Sequence, residues 1–249
     1  MRGTVAVIPP IKVYYWNARE NFGDGIAPLL IERFTDRKAV WERVGKADVV
    51  SVGSVLEHLP AMYDGYVLGS GKLYEESRIY LDPNCTNVLA LRGPLSAKSW
   101  RKDCAIGDPG LLASDLIYPQ SKKYDLGIIP HWSDKHLASD PRFYGKWDTL
   151  VIRPSGNPLE VIESIAQCRK VVSSSLHGLI VADAFGIPRR FEYAAQFDRE
   201  GGKFKFEDYS ASIGAKLTVS ETYTANPRNV ASRKNELWDS YRMLDNLLR

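Results

Sequence analysis

Residues 168–188 read CRKVVSSSLHGLIVADAFGIP, and the rest of the chain takes its meaning from them. The short run 170–173 has the composition of a buried strand. Three serines then carry the chain to Leu176, His177 and Gly178. Residues 179–186 have the apolar spacing and closing glycine of a short helix, and Pro188 prevents its continuation. A strand that passes through small polar residues straight into a helix leaves several backbone N–H groups unpaired at the helix start. Such an end attracts phosphate or carboxylate. His177 stands at that point. It either acts on a bound anion or only caps the helix and packs on the sheet.

Composition sets the outer bounds. The 249 residues are 44% hydrophobic and 25% charged, as expected of a globular protein with room for one large domain or two small ones. No apolar run approaches the ~18–20 residues of a membrane span. The N-terminal MRGTVAVIPPIKV has too short an apolar core for a signal peptide, and residues 11–16 serve better as a first strand. Three dispersed cysteines without a CxxC pair fit a reducing cytoplasm and speak against a disulfide framework or structural zinc. A net charge of +3, scattered along the chain, gives no nucleic-acid surface. It leaves open weak peripheral attraction to an anionic membrane.

Outward from the opening stretch, the chain alternates strands with glycine-bearing loops and helices. Residues 11–16 form a strand that runs into a tight polar loop at 21–25. A helix follows, with Asp24 near its cap and Pro28 in its first turn. Strands at 47–52, 65–68, 87–91 and 105–106 each end in a glycine-containing loop, and helical turns follow at 95–100 and 111–116. The polar segment PQSKK at 119–123 is the expected boundary. Beyond it strands are expected at 124–129, 149–152, 170–173 and 190–193, with helices at 158–167 and after His177. Residues 196–210 (QFDREGGKFKFEDYS) read as a loop over the cleft, and 230–248 as an amphipathic helix. No G-x-G-x-x-G or Walker loop is present, so no dinucleotide or ATP is indicated.

Two successive βα sets imply an α/β protein of two Rossmann-like domains facing across a cleft. These are residues 1–118 on the acceptor side and 119–228 on the donor side, with a C-terminal helix at 229–249 packing across the joint. Loops at the carboxyl ends of the strands should share the ligand face.

Six segments in order then carry a resemblance: NFGD at 21–24, VLGSG at 67–71, LRGPLS at 91–96, GDPGLL at 107–112, IPHWSD at 129–134 and SSSLHGLIVADAFGIP at 173–188. Over residues 21–209 the chain resembles the polysaccharide pyruvyl transferase family. The resemblance implies a GT-B-like fold and transfer of the carboxyvinyl unit of phosphoenolpyruvate to a sugar, leaving pyruvate as a cyclic ketal. It also implies that phosphoenolpyruvate lies against an Arg-Leu-His element at a strand end. Here that element is Ser175-Leu176-His177, so the Leu-His half carries over and the arginine does not. Another arginine, with Arg92 and Arg153 as candidates, must then supply the charge, or the donor differs.

Under that resemblance, Ser174, Ser175, Leu176 and Gly178 bind the donor at the helix start. His177 is the general acid, its pKa raised by the neighbouring anion. Asp24, across the cleft in the loop at 21–25, is the base on the sugar hydroxyl, or else a helix cap, and Asn21 and Gly23 of that loop bind substrate. His131 binds acceptor or donor, or only braces its turn; Arg92 points into the cleft, or forms a surface ion pair. His58 and His136 receive no role. No metal cluster or cofactor is expected, phosphoenolpyruvate being a substrate. The acceptor is a saccharide of an exopolysaccharide or its lipid-linked precursor, and the place of action is the cytoplasm. Two other readings remain: a glycosyltransferase of the same fold using a nucleotide sugar, and a non-catalytic carbohydrate-binding member.

Overall fold

The computed structural model describes residues 8–98, 100, 102–134, 136–145, 148–193 and 202–249. Among them, strands β1 (Ile11–Tyr14), β2 (Ala39–Trp41), β3 (Val49–Val50), β4 (Tyr66–Leu68), β5 (Asn87–Leu91) and β6 (Ala105–Ile106) form one parallel sheet. Its order is β2-β1-β3-β4-β5-β6. Strands β7 (Tyr124–Ile129), β8 (Thr149–Val151), β9 (Cys168–Ser173), β10 (Arg189–Phe191) and β11 (Thr222–Tyr223) form a second, ordered β11-β10-β9-β7-β8. Only β11 in it is antiparallel. The protein is thus α/β with two mainly parallel sheets. In the second sheet Ile129, Ser173 and Phe191 pair at one level, so the chain leaves β7, β9 and β10 on a common edge.

Apolar faces explain the packing. Helix α1 (Phe22–Thr35) buries Phe22, Ile26, Ala27, Leu30 and Ile31. Helix α3 (Pro158–Ala166) buries Val161, Ile162 and Ile165, and α4 (Leu176–Ala184) is buried almost all round, as an inner helix must be. The long α6 (Pro227–Leu247) turns Leu237, Tyr241 and Leu244 inward, against α1 and the 3₁₀ turn Pro109–Asp115. These side chains and one face of each sheet belong to one apolar cluster, while Val50, Val67 and Leu91 of the first sheet and Leu126, Ile128 and Val172 of the second belong to two smaller ones. Each fully buried Leu, Ile or Phe contributes roughly 1.5–3 kcal/mol.

Three expectations are corrected. The 21–25 segment is not a loop: Asn21 is the N-cap, its side chain accepting from Gly23 N at 3.2 Å, and the helix begins at Phe22. Pro28 therefore lies in the second turn, where it deprives the Asp24 carbonyl of its helical partner. The helix after the serines starts at Leu176, a turn earlier than its apolar spacing suggests. Within 196–210, residues 204–210 belong to helix α5 (Phe204–Ser212), while 196–201 lie outside the described residues.

Helix α5 is held by a charge the sequence places elsewhere. Arg92, at the end of β5, is fully buried instead of pointing into the cleft. Its Nε donates to Asp208 Oδ2 of α5 at 3.0 Å, Nη1 to Ser54 Oγ at 2.5 Å and Nη2 to the Lys72 carbonyl at 2.6 Å. Asp208 also accepts from the backbone N–H groups of Leu95 (2.9 Å) and Ser96 (3.0 Å) and from Ser96 Oγ (2.6 Å). It thereby caps the short helix α2 (Pro94–Ala97), whose own N-cap Gly93 has no side chain to do so. A Cβ on Gly93 would sit 2.1 Å from the Asp208 carbonyl oxygen, so only glycine permits this approach.

Removing one member of a buried, hydrogen-bonded ion pair strands the other. Asp208→Ala should cost ~3–5 kcal/mol in urea unfolding, and Arg92→Met/Asp208→Leu distinctly less than the two single changes added. Single changes costing under ~1 kcal/mol would remove this pair from the list of structural determinants.

Candidate functional site

The N-termini of α1 and α4 meet face to face. Gly23 in the first turn of α1 lies against the His177 ring: a Cβ there would be 2.0 Å from Nδ1. Phe22 meets the same ring edge-on, with centroids 6.4 Å apart. Beside this contact opens a cavity of about 290 Å³. From the first sheet's side it is lined by Trp16, Asn21, Asp24, Ser54, His58 and Tyr74. From the second come His131, Trp132, Ser175, Leu176 and His177, joined by Lys205 of α5.

Of the residues singled out from sequence, His177, Asp24, Asn21, His131, Ser175 and Leu176 therefore share one cavity. The others do not line it. Gly23 backs His177. Gly178 seats α4 on its strand, where a Cβ would be 2.4 Å from Ser173 Oγ. Ser174 is buried, donating to Asp134 Oδ2 at 2.7 Å and accepting from His131 N at 2.9 Å, so it braces the His131 turn. Arg92 is enclosed as described, and Arg153 is exposed. Sequence reasoning gives no role to several other lining residues, two of which, His58 and Lys205, carry basic groups. His58, bonded through Nδ1 to the Tyr14 hydroxyl at 2.9 Å, forms part of the wall. Lys205 was hidden in a segment read as a loop; its signal was the KFKF alternation, a lysine between two aromatic anchors.

Burial governs the electrostatics. The Asp24 carboxyl is pushed up to about 7, chiefly by loss of water; Asp108 adds to the rise, while Lys205 and the Asn21 amide oppose it. Asn21 Nδ2 donates to Asp24 Oδ2 at 2.5 Å. Gly53, with φ +104°, makes room for this carboxylate, since a Cβ would stand 2.2 Å from Asp24 Oδ1. His177 is driven down to about 3 by burial and then by the Arg92 and Lys205 charges. His131 falls to about 3 by burial and Lys205, against the pull of Asp134. The imidazolium expected at His177 is thus not its state in the protein alone: the ring is neutral. Among the described residues, no three His, Cys, Asp or Glu side chains gather as a metal ion would require.

The arrangement combines a helix start, a lysine, two neutral histidines and a carboxyl poised near neutrality. It can hold an anion and move protons on either side of it. A family model described as polysaccharide pyruvyl transferase matches residues 65–191, 127 of the 249. The chain belongs to the polysaccharide pyruvyl transferase family. It is 30% identical over 211 residues to the succinoglycan biosynthesis protein ExoV of Rhizobium meliloti (strain 1021), an overlap covering 82% of this chain and 65% of that protein. It is also 26% identical over 232 residues to an uncharacterised protein of Acanthamoeba polyphaga mimivirus, covering 88% and 80%. The family match contains Arg92, Asp108, His131 and the Ser174–Gly178 turn; Asn21, Asp24 and Lys205 lie outside it. No helix among the described residues is long and apolar enough to cross a membrane.

Asp24 yields a prediction with a definite sign. Its native value lies above the ordinary 3.8, so the folded chain keeps a proton that the unfolded chain has lost. The cost of burying its charge is absent near pH 4 and grows as pH rises through 7. Asp24→Asn should therefore stabilise the fold by about 2–4 kcal/mol above pH 7 and by little near pH 4. Urea midpoints at the two pH values measure this, and a pH-independent loss would contradict it.

Proposed function

We propose that this protein transfers the carboxyvinyl group of phosphoenolpyruvate to a saccharide of an exopolysaccharide or its lipid-linked precursor, leaving pyruvate as a ketal across two hydroxyls. The observation that carries this reading is the cavity in which His177 and Lys205 face Asp24, in a chain of this family. We further read the two sheets as Rossmann-like units in a GT-B arrangement, residues 1–118 on the acceptor side and 119–228 on the donor side, with 229–249 across the joint. The reaction would take place in the cytoplasm, or at its membrane face where a lipid-linked acceptor resides.

The donor is a multiply charged anion. The first N–H groups of α4, the Ser175 hydroxyl, which caps nothing, and the Lys205 ammonium would bind it. Lys205 thus takes the part for which the family's arginine was expected. The anion's own charge opposes the burial and the Arg92 and Lys205 charges that keep His177 neutral, so the imidazole gains its proton only with donor in place. His177 then protonates the methylene carbon, leaving an oxocarbenium-like centre at the adjacent carbon. A saccharide hydroxyl oxygen attacks that centre and passes its proton to Asp24, whose raised pKa suits a base working near neutrality. A second hydroxyl closes the ring as the carbon–oxygen bond to phosphate breaks, and inorganic phosphate departs with the remaining proton. These steps call for no resident cofactor or metal.

Phosphate release from phosphoenolpyruvate with candidate acceptors tests the reading. His177→Ala should lower kcat by ~10²–10⁴ with the fold intact. Lys205→Met should chiefly raise KM for phosphoenolpyruvate. Turnover of a nucleotide sugar in place of phosphoenolpyruvate, or near-normal turnover in His177→Ala, would overturn it.

A further inference from the structure

The GDPGLL segment at 107–112 has no part in the steps above, yet it reaches the histidine from behind. Asp108 opens the 3₁₀ turn Pro109–Asp115 and is fully buried; its Oδ1 accepts from Gly110 N at 2.8 Å. His177 Nε2 lies 3.8 Å from that same Oδ1, too far for a hydrogen bond. Both Nε2 and the second oxygen, Asp108 Oδ2, are buried with no hydrogen-bond partner. Two buried polar atoms without partners are costly, and the groups that carry them are complementary, because the carboxylate only accepts and an Nε2–H only donates. Gly110 keeps the gap narrow: a Cβ there would lie 3.0 Å from Asp108 Oδ1 and 3.5 Å from His177 Cδ2.

We infer that Asp108 is the positioning residue for His177: its carboxylate fixes the proton on Nε2, orients the ring, and holds the imidazolium when the donor binds. This rests on the reading of His177 as the acid. A shift of under an ångström closes the 3.8 Å gap to hydrogen-bond length. The Nδ1 edge, against Gly23 at the start of α1, is then the one left to exchange a proton with the substrate. Other charged or titratable groups stand around the ring: Asp24 on α1, Arg92 at the end of β5 and Lys205 on α5. Burial, Arg92 and Lys205 disfavour its charge, whereas the Asp108 carboxylate, 3.8 Å from Nε2, favours it. Of the two carboxyls, Asp108 is the one facing Nε2, and burial raises its own value only to about 6, so it is mainly ionised at neutral pH.

Imidazole ¹⁵N shifts read the contact directly, and with only four histidines in the chain His177 can be assigned by difference from His177→Ala. In the wild-type protein without substrate the neutral ring should carry its proton on Nε2; a proton on Nδ1 would overturn the inference, whatever the variants do. With phosphoenolpyruvate bound, Asp108→Asn should lower the ring's protonation midpoint by about one unit or more. It should reduce kcat roughly 10–100-fold with little change in KM. An Asp108→Asn enzyme with unchanged midpoint and kcat would sink the proposal. If His177→Ala keeps its turnover, the acid assignment fails instead, and the tautomer still decides whether Asp108 orients the ring. Should Asp108→Asn not fold, the wild-type tautomer remains the test.

Discussion

The Arg92–Asp208 pair ties the second half of the chain to the first. One carboxylate neutralises a guanidinium with no exposed surface and also caps a helix of the opposite half. A buried pair of this kind contributes little net stability over apolar residues of the same size, but it tolerates no alternative partner. Its consequence is positional. With Asp208 fixed, α5 starts where Phe204 and Phe206 are buried and Lys205 reaches the cavity. The Arg92 charge then acts on His177 through the protein without touching it.

Around that tie the two helix starts at Asn21 and Ser175 are pressed together, and small residues make this possible. Gly23, Gly53, Gly110 and Gly178 each stand where a Cβ would meet a site residue or its support within about 3 Å. Close approach removes water, and the loss of water sets the protonation states. Two carboxyls are pushed toward neutrality and two imidazoles are stripped of charge in the same small volume. Within it His177 Nε2 and Asp108 Oδ2 are buried without a hydrogen-bond partner, so the cost of lost water is only partly offset.

Much of this was legible in the chain. The alternation of apolar runs with glycine-bearing loops announced an α/β protein with mainly parallel strands, and β5, β6 and β7 fall where their apolar runs do. That a helix follows the three serines, and that Asn21, Asp24, His131 and His177 are neighbours, also followed, the latter from the rule that strand ends share a face. The misreadings have physical causes. Apolar spacing marks where a helix is buried and not where it begins, so it sets the start of α4 a turn late and leaves the capped first turn of α1 looking like a loop. The polar–aromatic α5 has a weak apolar face and derives its support from tertiary contacts such as Asp208, which spacing does not record.

The sequence by itself determined most of the strand and helix order, the family and the strand-to-helix turn that carries His177, because these depend on local periodicity and on residue order. The short β2 and β11 and the polar–aromatic α5 lack such a signal. Only the tertiary structure decided which charges face which. It turned Arg92 from a candidate ligand into a buried tie, brought Lys205 to the cavity from a distant segment, and set Asp108 behind His177. Distance and burial fix the electrostatics of a site, and both arise only when segments far apart in the chain exclude water together.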